Sequence, residues 1–233
     1  MQLPYFFEPE IIETLKTFTL SEDTSKHCAQ VLRMKKGEQL QLTNGKGLLV
    51  TATIILADKR RSGVSIDSVE KYPQVKRKIS LGVSLLKNNS RFEWFLEKAT
   101  EIGVSEIIPL ICQHTERQHF RFDRMQNILV SAMLQSRQVW LTVLHEPTAF
   151  SEVIQSAGET QKLIAHCYGT DKKILNQLPL EDNILLLTGP EGDFSVDEVD
   201  AALVKRFVPV SLGNTRLRSE TANIVATVIL NLF

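Results

Sequence analysis

Apolar and polar positions change rhythm once along this chain. Up to about residue 72 the period is two. Gln39-Leu40-Gln41-Leu42-Thr43 alternates, Asn44-Gly45 supplies a hairpin turn, Leu48 to Leu56 returns as a strand, and Gly63 to Val69 alternates again. Between Ser21 and Met34 the pattern predicts a short helix, capped by Ser21 or Asp23, with Val31 and Leu32 on its buried face. These elements predict a compact β-rich unit over residues 1–72. The charged stretch Glu70 to Lys78, interrupted by Pro73, reads as a linker.

From Ile79 the rhythm becomes strand, then helix, repeated. Strands are expected at Ile79 to Leu86, Glu106 to Cys112, Leu163 to Cys167, Ile184 to Thr188 and Phe207 to Ser211. Helices are expected at Ser90 to Ile102, Asp123 to Trp140, Asp171 to Gln177, Val196 to Arg206 and from Glu220 onward. Such alternation implies an α/β domain over residues 73–233, built on a parallel sheet covered on both faces.

Two strand ends stand out. Leu185-Leu186-Leu187-Thr188 runs into Gly189-Pro190-Glu191-Gly192-Asp193, and Val208-Pro209-Val210-Ser211 runs into Leu212-Gly213-Asn214-Thr215-Arg216-Leu217-Arg218. Ligands of open α/β sheets bind at the carboxyl ends of strands, and glycines there admit close approach to the main chain. The first loop ends in Ser195-Val196-Asp197-Glu198, the pattern of a capping box. It lacks the Gly-Lys-Ser/Thr of a triphosphate loop. Arg216 and Arg218 precede Ser219, a good N-cap for a helix that is apolar almost all round and so belongs in a core or a subunit interface. Their partner is either a carboxylate, Glu191 or Glu220, or a nucleic-acid phosphate or reacting base.

Charge narrows the picture only a little. With 27 basic and 27 acidic residues the chain has no global field to attract a polyanion, so nucleic-acid binding has to rest on local clusters. One lies between Gln113 and Arg124, where Arg117, Arg121 and Arg124 interleave with Phe120 and Phe122. Cations alternating with aromatic rings suit backbone tracking and base stacking, although a solvated loop has the same composition. Cys28, Cys112 and Cys167 fit neither a disulfide framework nor a zinc site, which points to a reducing cytoplasm. The five histidines show no metal spacing. The start lacks signal-peptide character, and no apolar run is long enough to span a membrane.

Taken in order, several segments resemble the RsmE family of ribosomal RNA methyltransferases, of the SPOUT class. They are His27 to Gly37, Leu85-Leu86-Lys87, Glu93-Trp94, Lys98 to Val104, Thr115-Glu116-Arg117, Gln135-Ser136, Thr188 to Gly192, Leu212-Gly213 and Leu217 to Ala222. The resemblance implies a small PUA-like RNA-binding β-barrel followed by a methyltransferase domain whose last part, roughly residues 184–233, forms a trefoil knot. It implies S-adenosylmethionine as methyl donor, no metal, a homodimer, and N3 of a uridine in small-subunit (16S) ribosomal RNA as target, in the assembled 30S particle. Cofactor contacts carried over fall on Leu187, Thr188, Gly189, Glu191, Gly192, Leu212, Gly213, Leu217, Arg218 and Thr221. Arg218 is expected to stabilise the anionic base, with Glu220 as its orienting partner or as the general base. RNA contacts are expected at Arg33, Lys35 and Lys36 in the barrel and at Arg117, Arg121 and Arg124. Two stretches depart from the family: Asn214-Thr215 replaces Pro-Arg, and Ser136-Arg137-Gln138 replaces Cys/Ser-Gly-Arg. The rival reading is a non-catalytic RNA-binding or ribosome-assembly protein on the same fold.

Overall fold

The computed structural model describes residues 2–116, 119–169 and 171–232. The chain forms two compact units, residues 1–74 with 133–141, and residues 75–132 with 142–233.

In the first unit, β1 (Tyr5–Phe7), β2 (Thr17–Thr19), β3 (Gln39–Thr43), β4 (Leu48–Leu56) and β5 (Gly63–Lys71) form one sheet in the order β1-β3-β4-β5-β2. Only β1–β3 is parallel. This mixed sheet, with the two three-residue strands at the ends of its path, is the β-rich unit that the alternation predicts. Alternation places Leu40, Leu42, Val50, Ala52, Ile54 and Val64 in the core. The short helix α1 (Glu22–Lys26) is capped by Ser21, whose hydroxyl accepts from Thr24 N, and it continues as a π-turn over His27–Val31. The wider turn rotates the expected face: Cys28 and Met34 are buried, whereas Val31 and Leu32 are exposed. Segment 133–141 joins this unit through Arg137, whose guanidinium donates to Gln41 Oε1 and Leu3 O and lies over the Tyr5 ring.

In the second unit, β6 (Lys78–Ser84) leads to α2 (Asn89–Ile102), β7 (Glu106–Ile111) and α3 (Phe122–Gln135). After β8 (Val143–Leu144), β9 (Thr148–Ala149) and α4 (Phe150–Ser156) come β10 (Gln161–Ala165), β11 (Lys173–Ile174), β12 (Asn183–Thr188), α5 (Val196–Val204), β13 (Val208–Ser211) and α6 (Ser219–Leu232). The sheet runs β11-β13-β10-β12-β6-β7-β8, with β9 also on β7, and every pairing is parallel. Ile184 to Leu187 are all buried, as the interior strand of a parallel sheet requires. On β6, Gly82 leaves room for Leu187: an added Cβ would lie 2.4 Å from Leu187 Cδ2. The helix expected over Asp171 to Gln177 is instead β11 and a single 3-10 turn, because Lys173 and Ile174 pair with β13.

Candidate cofactor site

Strands β13, β10 and β12 are adjacent and parallel, so the loops leaving their carboxyl ends open onto one sheet edge. These loops enclose a cavity of about 460 Å³. The β12 loop contributes Thr188, Gly189, Pro190, Glu191 and Asp193, and the β13 loop contributes Val210 to Leu217. Ser219 and Ala222 of α6 complete the wall, together with Ala165, His166, Cys167 and Lys172 after β10.

Local sequence explains the shape. Gly189 is required because the loop doubles back on itself, and an added Cβ there would lie 2.9 Å from Phe194 N. Phe194 is fully buried against Phe150, anchoring the return. Ser195 and Glu198 then form the expected capping box at the start of α5. Gly213 has φ +152, in the region that favours glycine. Behind the cavity, Thr188 Oγ1 donates to Asn223 Oδ1, fixing the end of β12 to α6.

Of the ten residues expected at the cofactor, Thr188, Gly189, Glu191, Leu212, Gly213 and Leu217 line the cavity. Leu187 turns its side chain into the core over Gly82, and Gly192 lies beside His114. Arg218 and Thr221 are exposed and outside the lining. The β10 loop went unforeseen, since Ala165-His166-Cys167 carries no motif and only strand order brings it here.

Both signs of charge face the cavity: Lys172 and Arg216 are cationic, Glu191 and Asp193 anionic. Lys172 Nζ donates to His166 O at 2.9 Å. Both ring nitrogens of His166 are buried and have no hydrogen-bond partner among the described residues, and burial, aided by the Lys172 ammonium, holds the imidazole below its ordinary pKa. The exposed Cys167 thiol is raised by desolvation and then by Asp193. Burial pushes Cys112 up to about 12 and Cys28 to about 11, so neither carries a reactive thiolate near neutral pH.

The two candidate catalytic groups do not meet. Glu220 pairs with Arg91, Nε to Oε1 at 3.5 Å, rather than with Arg218, and its Oε2 is buried without a hydrogen-bond partner. Glu191 Oε1 accepts from Lys87 N at 3.0 Å, so neither carboxylate takes up Arg216 or Arg218. The arginine–phenylalanine cluster is also partly spent. Arg124 grips Glu93 through two bonds of 2.6 and 2.8 Å, which holds that carboxyl below its usual range. Phe120 packs edge-on against the buried Phe92. Arg121 is exposed, and Arg117 lies outside the described residues. Arg33, in a left-handed conformation at φ +54, is exposed, as are Lys35 and Lys36. Among the described residues no group of three or more His, Cys, Asp or Glu could hold a metal ion.

The two glycine loops and the β10 loop thus give an α/β domain with a cavity at the carboxyl edge of its sheet, lined by a few charges of both signs, the usual place for a ligand in such folds. Residues 73–231 match the RNA methyltransferase domain family, and residues 20–66 match the RNA methyltransferase PUA domain. The chain belongs to this family of RNA methyltransferases. It is 29% identical over 230 residues to "Ribosomal RNA small subunit methyltransferase E" of Synechocystis sp., covering 95% of this chain and 74% of that protein. A probable rRNA-methyltransferase from Porphyromonas gingivalis superposes with a TM-score of 0.88 at 36% identity, covering 97% of this chain and 95% of that one. A ribosomal RNA small subunit methyltransferase E from Neisseria gonorrhoeae, bound to S-adenosyl methionine, gives 0.87 at 28% identity, covering 97% and 95%.

Proposed function

We propose that the protein methylates N3 of a uridine in small-subunit ribosomal RNA, with S-adenosylmethionine as methyl donor. The observation that carries this reading is the cavity between the β12 and β13 loops, in a chain of this family. The donor set fits the cofactor: main-chain groups beside Gly189 and Gly213 for the adenosyl part, Lys172 or Arg216 for the carboxylate, and Glu191 for a cationic group. When bound, S-adenosylmethionine supplies an electrophilic methyl on its sulfonium.

The remaining chemistry falls to the protein. Uridine N3 is a poor nucleophile until its proton leaves, so the enzyme has to stabilise the anionic base in line with the methyl. We give this role to Arg218, which is exposed between the cavity-lining Leu217 and Ser219 and is in no ion pair among the described residues. Glu220, held by Arg91, anchors the first turn of α6, and Arg218 immediately precedes that helix. The target base has to leave its stack to reach this edge.

In this reading residues 1–72 are the RNA-binding domain and 73–233 the methyltransferase domain, with the segment 184–233 threaded as a trefoil knot. Placement of the late strand β13 between β10 and β11 supports the threading. A homodimer is supported by half-buried Ile224, Val225, Val228 and Ile229 and exposed Leu232 on α6. We place the enzyme in the cytoplasm, acting on the assembled 30S particle; no described helix is long and apolar enough to cross a membrane.

Calorimetric titration with S-adenosylmethionine and S-adenosylhomocysteine, followed by mass spectrometry of RNA from 30S particles, tests the reading. Binding of both ligands and a new N3-methyluridine are expected. Tight ATP binding with no response to either ligand would exclude it.

A further inference from the structure

Three of the carboxylates on the β12 loop and the start of α5 each accept a main-chain N–H from a different neighbouring loop. Glu191 Oε1 takes Lys87 N, after β6, at 3.0 Å. Glu198 Oε1 takes Gln113 N, after β7, at 2.8 Å. Asp193 Oδ2 takes Cys167 N, after β10, at 2.7 Å. Of the three, the Asp193 bond alone ties two walls of the cavity to each other, since Asp193 and Cys167 both line it.

Asp193 is engaged on every side. Its Oδ1 accepts from Phe194 N at 2.8 Å, its own N–H donates to Pro190 O at 2.9 Å, and its carbonyl lies 3.0 Å from His114 Nδ1. Its backbone sits at φ +66, a conformation that glycine adopts freely and other residues resist. Backbone comfort alone favours glycine here. An aspartate held at this angle, with both carboxylate oxygens bonded to main-chain N–H groups, is there for its side chain.

Building on the cofactor reading above, we propose that Asp193 is a positioning residue that fixes the β10 loop against the β12 loop and so preshapes the S-adenosylmethionine cavity. Strand β10 ends at Ala165, so the wall at 166–167 lies beyond the paired strand, where Lys172 Nζ donates to His166 O and Asp193 accepts from Cys167 N. With the bond made, the cofactor meets a formed wall and does not have to order a loop on binding. Without it, the loop samples other positions and affinity falls by the fraction of time it spends away.

Two substitutions isolate this role. Asp193→Gly relieves the backbone and deletes both side-chain bonds. Asp193→Asn tolerates the same backbone angle and removes the charge, but its one carbonyl oxygen can accept from Cys167 N–H or from Phe194 N–H, not both. Calorimetry with S-adenosylmethionine and S-adenosylhomocysteine, the KM–kcat split, thermal melting without ligand, and hydrogen exchange at the Cys167 amide together read the effect. For Asp193→Gly we expect affinity for both ligands to fall on the order of tenfold, about the loss of one charge-assisted hydrogen bond. The KM for S-adenosylmethionine should rise more than kcat falls, the Cys167 amide should exchange faster, and the ligand-free melting temperature should hold. Asp193→Asn, with one acceptor left, should fall between the wild type and Asp193→Gly in both affinity and amide protection. Wild-type affinity in Asp193→Gly overturns the proposal, as does lost affinity with unchanged exchange at the Cys167 amide. A collapsed melting temperature in Asp193→Gly overturns it too, as a general structural role. If the wild-type protein binds neither ligand, the cofactor reading fails instead, and amide exchange at Cys167 still decides whether Asp193 holds the loop.

Discussion

His166 is the side chain at the cavity whose protonation costs the fold most directly. Its neighbours are the Lys172 ammonium, the Asp193 carboxylate and the Tyr168 ring, and neither ring nitrogen has a hydrogen-bond partner among the described residues. Burial, then Lys172, lowers its pKa in the folded state, while Asp193 opposes the shift. As pH falls, the unfolded chain therefore takes up this proton before the folded chain does. Stability from the neutral ring is complete above the ordinary imidazole value and is lost as pH falls below it toward the depressed one. Thermal melts from about pH 7.5 to about pH 5 should show the wild-type protein losing more stability than His166→Gln, whose side chain does not titrate. Parallel pH curves would show that His166 protonates freely in the folded protein. Nothing in the sequence around His166 announced this, since a histidine between Ala165 and Cys167 reads the same in a core, on a surface or at a site.

At the scale of elements, what was legible followed from local rules. The capping box at Ser195 and the hairpin at Asn44-Gly45 depend on residues within a few positions of each other, and both formed. The elements missed or misread depend on distant partners. β8 and β9, which no pattern announced, and β11, read as a helix, are two residues long and exist because β7 or β13 lies beside them. The alternation of arginine and phenylalanine after Cys112 was equally ambiguous, and packing resolved it by turning Phe120 onto Phe92 and closing Arg124 on Glu93. A guanidinium in a two-pronged bond with a carboxylate has little charge left for phosphate, whereas Arg121 is exposed. Binding of small-subunit RNA measured across salt concentrations should therefore show a shallower slope for Arg121→Ala, by roughly one unit for each phosphate that the arginine neutralises. Arg124→Ala should leave the slope near wild type. A shallower slope for Arg124→Ala would mean that Glu93 releases it to the RNA.

At the scale of the whole molecule, both glycine loops could be read in the chain because each is a contiguous strand end, but the enclosure they form could not. The strand order sets β10 between β12 and β13, so three loops far apart in sequence share one edge. That arrangement also separates functions. In the proposed reading the cofactor occupies the cavity, whereas Arg218 stands outside its lining, one residue before α6. Removing the guanidinium should leave S-adenosylmethionine affinity within a few-fold, because the wall itself is unchanged. Turnover should fall by about two to three orders of magnitude, the usual loss when one charge partner of the transition state is removed. Glu220→Gln keeps the shape of the side chain, weakens its tie to Arg91 and should cost less, since the carboxylate acts on the helix turn rather than on the base. Single-turnover methylation of 30S particles across pH distinguishes these roles. If Glu220→Gln flattens the pH–rate profile, the carboxylate is taking the N3 proton itself. If Arg218→Ala methylates at the wild-type rate while still binding cofactor, the anionic base is stabilised by another group, and Arg216, already on the cavity wall, is the next residue to change.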